Sequence, residues 1–148
     1  MISELIQYLV SKTTITDYVG SISEPSRIYV ARRPQGDAVP AMVIEYTGSE
    51  HVRHLTGAAG LAEASIQITS YSTSSLEAEQ MGNAVRLVLD GYDSETGAMG
   101  SLGTLSVRKV ELMSDDLRYN DPVDASDVGI YSLEQDFSLW YSETVPSL

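Results

Sequence analysis

Between Ala64 and Gly91 the chain passes from a two-residue apolar period to a helical one with almost no linker. Ala64, Ile66, Ile68 and Ser70 alternate with Ser65, Gln67, Thr69 and Tyr71, the period of a strand with one buried face. A polar run from Ser72 to Ser75 follows. Ala78, Met81, Gly82, Val85, Val88 and Leu89 then recur at helical spacing. Ser74 and Glu77 have the capping-box spacing, and Gly91 is placed to take the left-handed conformation that ends a helix. A strand feeding a helix with a single apolar stripe needs a neighbouring sheet to cover that stripe. The segment therefore sets the architecture.

The flanking patterns extend it in both directions. Ile2, Leu5, Ile6, Leu9 and Val10 predict an amphipathic helix over residues 3 to 12, with Lys12 suited to its C-terminal end. Ile15, Tyr18 and Val19 predict one further helical turn closed by Gly20, and residues 21 to 26 a loop. A strand is expected from Arg27 to Arg33, followed by a turn at Pro34-Gln35-Gly36-Asp37 and an edge at Pro40. In the next strand Met42, Ile44 and Tyr46 share a face, and the strand continues through Val52 and Leu55 with a bend at Gly48. Residues 56 to 60 read as the tip of a long hairpin that returns along Ala64–Tyr71 and projects beyond the core. The four glycines of Gly91–Gly103 predict a mobile loop. Leu105, Val107, Val110 and Leu112 break alternation, which predicts a bulge near Arg108-Lys109. Tyr131, Leu133, Phe137, Leu139 and Tyr141 line one face of a last strand.

The expected order is thus α-β-β-β-α-β-β. Short connections favour an antiparallel meander for the first three strands. The simplest packing is an α+β two-layer domain, a mostly antiparallel sheet of about five strands with two helices on one face. Residues 1–148 read as a single domain.

Composition limits the chemistry. The chain has no cysteine, which removes disulfides, zinc-thiolate sites and thiol catalysis. No apolar run reaches bilayer length and the N-terminus lacks a basic secretory start, so a soluble intracellular product is expected. Nine basic and 21 acidic residues give a net charge of −12. Such charge serves solubility, and it equally suits a surface that lies near DNA without binding it.

No catalytic constellation emerges. His51 and His54 fall in a strand-like pattern that sends them to opposite faces, with no third ligand nearby, so no metal is expected. The acids Asp115, Asp116, Asp121, Asp124 and Asp127 do not match a calcium loop and read as a solvated acidic loop over 114–127. No nucleophile elbow, dinucleotide fingerprint or phosphate loop is present. Arg32-Arg33 is too short for a nucleic-acid patch, and either flanks an exposed turn or joins an ion pair between subunits.

The chain resembles the phage tail-completion, or tail-terminator, family of long-tailed phages and related prophages. Tyr18-Val19-Gly20, Arg27-Ile28-Tyr29, Pro34-Gln35-Gly36 and Val39-Pro40-Ala41-Met42-Val43 carry the likeness, together with Ile66-Gln67-Ile68, Tyr71, Glu77-Ala78-Glu79 and Ala84-Val85-Arg86. It covers residues 2 to 91 and continues loosely through the final strand; the 91–103 and 114–127 segments do not share it. The resemblance implies a virion protein without enzymatic activity or cofactor, assembled in the host cytoplasm. It would form a ring, typically a hexamer, that caps the tail tube, meets the tail-tube and head-connector proteins, and lets DNA pass without specific binding. A head-completion or connector protein of the same neck is the near rival, and a small ligand-binding α+β domain the distant one. Contact surfaces are expected on the hairpin from Gly48 to Leu61 and the 91–103 loop. The residues singled out are Arg32, Arg33, His51, Arg53, His54, Leu55, Gly57 and Gly60, with Leu76 and Leu87 off the main helical stripe. Ordinary core breadth accounts for Leu76, Ala84 and Leu87 equally well.

Overall fold

A computed structural model describes residues 2–20, 27–31, 39–54, 57–90, 92–93, 101–102, 105–121 and 129–142. The elements are α1 (Ile2–Val10), α2 (Thr13–Val19), β1 (Ile28–Val30), β2 (Ala41–His54), β3 (Gly57–Ser72), α3 (Ser75–Leu89), β4 (Tyr92–Asp93), β5 (Ser101–Leu102), β6 (Leu105–Asn120) and β7 (Ile130–Ser142). They form the expected two-layer α+β arrangement, with a sheet of order β1-β2-β3-β7-β6-β4 and β5 paired to β6. The helices pack on one face, where Leu5, Leu9, Ile15, Val19, Met81, Val85 and Leu89 meet Met42, Ile44, Ile66, Ile68, Phe137 and Leu139 in one core.

Several expectations change. The helical turn at 15–19 is a separate helix, because the chain extends at Lys12 between α1 and α2. Gly20 closes α2 at φ 88°, its N–H bonded to Thr16 O. β1 is only three residues long and pairs parallel with β2, so the meander is confined to β2 onwards. Arg27 fixes this entry: Nε donates to Pro40 O and Nη2 to Tyr18 O, each at 2.7 Å. Tyr46 shares the face of Met42 and Ile44, paired with Ile66, but is 47% exposed, since β1 ends opposite Ile44.

The long hairpin bends where glycine permits. The β2–β3 register shifts between Tyr46 and Gly48, where Gly48 adopts φ +156°, and again between His51 and Arg53. Gly57 to Gly60 belong to β3, so the expected tip at 56–60 is shorter, with His54 opposite Gly57. The second shift leaves β3 with more residues than β2 between its pairs, and Gly60 sits there at φ 76°.

The N-terminus of α3 is a relay rather than a two-residue box. Ser74 Oγ accepts from Glu77 N at 3.4 Å. Glu77 does not reach back to Ser74 N; buried Ser72 intervenes, its Oγ donating to Glu77 Oε1 at 2.7 Å and accepting from Ser74 N at 3.1 Å. At the other end Asp90 is extended, and its Oδ1 accepts from Leu112 N at 2.8 Å. The helix is thus stopped at Asp90 by a sheet contact; Gly91 lies outside the described residues.

β4 and β5 occupy parts of the expected 91–103 loop, β4 pairing with Val110 and Lys109. β6 carries the expected bulge between Val107 and Lys109 and a second between Leu112 and Ser114. It then runs on to Asn120, so residues 114–120 of the expected acidic loop form a strand against β7, exposed yet hydrogen-bonded in register. Tyr119 stacks on Tyr131 with ring centroids 4.9 Å apart. Gly129 leaves room for it: a Cβ there would collide with the Tyr119 ring.

Candidate functional surfaces

Directly paired residues of a ladder share a face, so the registers sort side chains without reference to shape. Val43, Thr69 and Glu134 form one row on the helix-free face, continued by Asp116. Glu45, Gln67, Asp136 and Ser114 form the next row, and Glu50, Glu63, Trp140 and Lys109 another. Glu111 joins them opposite Ser138, and Arg118 opposite Ser132. Among the described residues this face carries Glu45, Glu50, Glu63, Glu111, Asp116, Glu134 and Asp136, against the cations Lys109 and Arg118 and the exposed Arg108 of the adjoining bulge, which donates to Ser142 Oγ at 3.0 Å.

Its polar groups are organised along the surface. Asp136 accepts from Ser114 Oγ at 2.9 Å and Gln67 Nε2 at 3.3 Å, and Glu63 accepts from Ser138 Oγ at 2.6 Å. Arg118 Nε lies 2.8 Å from Asp116 Oδ2 and 3.8 Å from Glu134 Oε2. The hydrogen bond to Asp116, then the charges of Glu134 and Asp116, raise the Arg118 pKa above its ordinary value. Lys109 Nζ is 2.6 Å from Glu111. Lys109 and Arg118 are thus engaged by neighbouring carboxylates, and carboxylates outnumber cations on this face. Such a surface repels polyphosphate rather than holding it.

The helix side is different. Leu76 and Leu87 are 62% and 67% exposed, so they are surface residues and not core breadth. A groove between α2 and α3 is lined by Tyr18, Ala84, Leu87 and Val88. A second cleft of about 360 Å³ lies between α3 and β6, lined by Glu79, Asn83, Arg86, Asp115, Leu117, Leu133 and Gln135. It exists because α3 approaches β7 at Gly82, where a Cβ would collide with Leu133 Cδ2. Gln135 is buried here at 1% exposure, on the face of Leu133 and Phe137. Its Nε2 donates to Gly82 O at 2.9 Å, and its Oε1 has no hydrogen-bond partner.

The residues singled out from sequence do not form one cluster. His51 is exposed and pairs with Ala62 in the hairpin arm. Arg53 pairs with Ala58 and His54 with Gly57 in the same arm, while Leu76 and Leu87 stand on α3. Val52 to His54 and Gly57 to Gly60 extend past Leu61–Ser142, the last described β3–β7 pair. Arg32, Arg33 and Leu55 lie outside the described residues. No group of three or more His, Cys, Asp or Glu able to hold a metal occurs among the described residues. No described helix is long and apolar enough to cross a membrane. Sequence reasoning missed the carboxylate face and the Gln135 cleft. The first was legible in part, since Glu134 and Asp136 alternate with the apolar positions of the last strand; its cross-strand rows were not.

A sequence model of the family described as Tail completion protein gp17 matches residues 3–142. The match runs through both segments that had no counterpart by inspection. Among solved structures, a chain from "Virion of native gene transfer agent (GTA) particle" is 17% identical, with a TM-score of 0.66 over 93% of this chain and 91% of that chain. At that identity the likeness shows a shared fold. Comparison with curated proteins gives no match.

Proposed function

Since the chain belongs to the Tail completion protein gp17 family and is a structural protein of the phage tail and virion, we propose that it is the ring subunit that closes the finished tail tube. In this reading residues 1–148 form one domain, about six copies close the ring, and the ring joins the tube to the head connector. The helix-free face of the sheet turns toward the DNA path. No reaction is part of this role.

The carboxylate face carries the reading. A carboxylate-rich sheet face has no use in a core, and it extends over four adjacent strands from β2 to β6. In a closed ring they would give passing phosphates no foothold, so DNA moves without being retained. The helices then face outward and toward neighbours. The β2–β3 arm, whose end passes the last described β3–β7 pair, supplies the longest reach toward a partner along the tail axis.

Purified unterminated tubes offer the test. Added wild-type protein should cap them and permit joining to heads. A chain lacking residues 56 to 60 should fold with unchanged circular dichroism but join tails to heads at least about tenfold less well. A deletion mutant that docks and joins normally removes the arm from the contact.

A further inference from the structure

We propose that two copies of this chain pair along the free edge of β6, antiparallel about a two-fold axis at Leu117. The contact is separate from the ring reading, since an isologous pair closes at two copies whereas a ring is built head-to-tail.

The second half of β6 is exposed on both faces and along one edge. β6 pairs with β7 as far as Asn120, while on its other edge β4 pairs only with Lys109 and Val110. Asp90 Oδ1 takes the N–H of Leu112 on that edge. From Met113 to Asn120 every residue is exposed, and among the described residues no strand lies beside them there.

The registers show which backbone groups are left over. Ala31 N bonds to Ile44 O, so Ile44 turns its peptide groups to β1 and away from β3. Bonded and unbonded pairs alternate along and across an antiparallel ladder. In the row Ile44, Ile68, Gln135 and Asp115, the bonds therefore run between Ile68 and Gln135, and Asp115 points its N–H and C=O out of the sheet. Leu117 and Tyr119 do the same by alternation. Leu112 agrees: it pairs with Phe137, two residues along β7 from Gln135, and its N–H likewise leaves the sheet, for Asp90. The outward groups of Asp115, Leu117 and Tyr119 are a template for a further strand.

Charge selects the register. With Leu117 opposite Leu117 of the partner subunit, Asp115 faces Tyr119 of the partner subunit, and Asp116 faces Arg118 of the partner subunit. The three outward residues then exchange about six hydrogen bonds, two for each facing pair. Asp116 and Arg118 form the closer, unbonded pairs between them, once on each side of the axis. Arg118 is exposed and meets its own Asp116 through Nε, which leaves both Nη groups for the carboxylate opposite. Moving the axis by one residue sets Asp116 against Asp116, or Arg118 against Arg118, and like charges directly opposite destabilise a pair. Asp116-Leu117-Arg118 is thus complementary to its own reverse. Pairing in this way covers an exposed strand edge in the free subunit and leaves β6 no edge for a third copy.

The chain has no cysteine, so one introduced thiol reports the register. Leu117→Cys should form an intersubunit disulfide under mild oxidation, because facing bonded residues lie about 5.5 Å apart at Cα, within disulfide reach. Asp115→Cys, which does not face its own copy, should cross-link at least about tenfold more slowly. Sedimentation equilibrium at about 0.15 M salt, which screens the repulsion between acidic chains, should show wild-type dimer. Asp116→Arg alone and Arg118→Asp alone should each weaken it at least about tenfold. An equimolar mixture of the two should recover, since every facing pair then joins unlike charges. Leu117→Pro should abolish the dimer with unchanged circular dichroism, because the donor it removes points to solvent in the subunit. Wild type that stays monomeric throughout the concentration series overturns the contact. So do equal cross-linking at positions 115 and 117, and a mixture no better than its parts. None of these results bears on ring formation, which is read separately on purified tail tubes.

Discussion

Replacing Gln135 with leucine should make the subunit more stable. The buried Oε1 has no partner, and an unpaired buried carbonyl costs about 1–3 kcal/mol. Leucine removes that cost while losing the Nε2 bond to Gly82 O, about 0.5–1.5 kcal/mol. Gly82 O is not orphaned by the change, since α3 supplies the ordinary helical bond from Arg86 N. Leucine also sits well beside Leu133 and Phe137, its neighbours on the core face of β7. The difference is a gain of about 1 kcal/mol, or about 2–4 °C in Tm for a domain of this size. Urea unfolding at dilute, monomeric concentration measures it, with Ser70→Ala as the comparison. Among the described residues Ser70 Oγ is the other buried side-chain atom without a partner, and it does not line the cleft. Ser70→Ala should stabilise for the same reason as Gln135→Leu, and by less, because a hydroxyl rather than an amide is removed. A Gln135→Leu subunit destabilised by more than about 1 kcal/mol would refute the claim that this amide is retained at the expense of the fold.

Ser72→Ala should destabilise the domain by about 2 kcal/mol in urea titration, because it removes a bond to the Glu77 carboxylate and the acceptor for Ser74 N together. A loss below about 0.5 kcal/mol would show that Glu77 recaps Ser74 directly. Changing Glu45, Glu134 and Asp136 to lysine replaces three negative charges on the open face with three positive ones. Duplex DNA should then be retained at about 0.1 M salt by the variant and not by wild type, with retention falling steeply as salt rises; fluorescence anisotropy reads both. Equal retention by the two chains would remove any role for these carboxylates in DNA passage.

The fold was most legible where one period ran unbroken. The Ile66–Tyr71 strand, the Ala78–Leu89 stripe and the Leu133–Leu139 face each put their large apolar side chains on one side, and each formed as read. The bulge near Arg108 was legible because it disrupts that same alternation. Errors collected where a long-range contact overrides a local signal. At the end of α3, Asp90 Oδ1 accepts from Leu112 N, a link to β6 that no local pattern shows. Asp115 and Asp116 looked like loop residues because nothing local pairs them; Gln135 and Glu134 on β7 do. The parallel β1 was hidden in the same way, being held by Arg27 bonding to Tyr18 O and Pro40 O on either side of it. The cleft was least legible of all. Its floor is a glutamine in the middle of an apolar stripe, a position that sequence shows but whose unpaired atom only the packing of Gly82 against β7 reveals.

Electron cryomicroscopy of the junction between a completed tail and its head tests the orientation of the subunit most directly. With the carboxylate face toward the DNA, Glu45, Glu134 and Asp136 should lie nearer the tail axis than Leu76 and Leu87 in every copy of the ring. A junction with α3 lining the bore and the open sheet face turned outward would contradict the account.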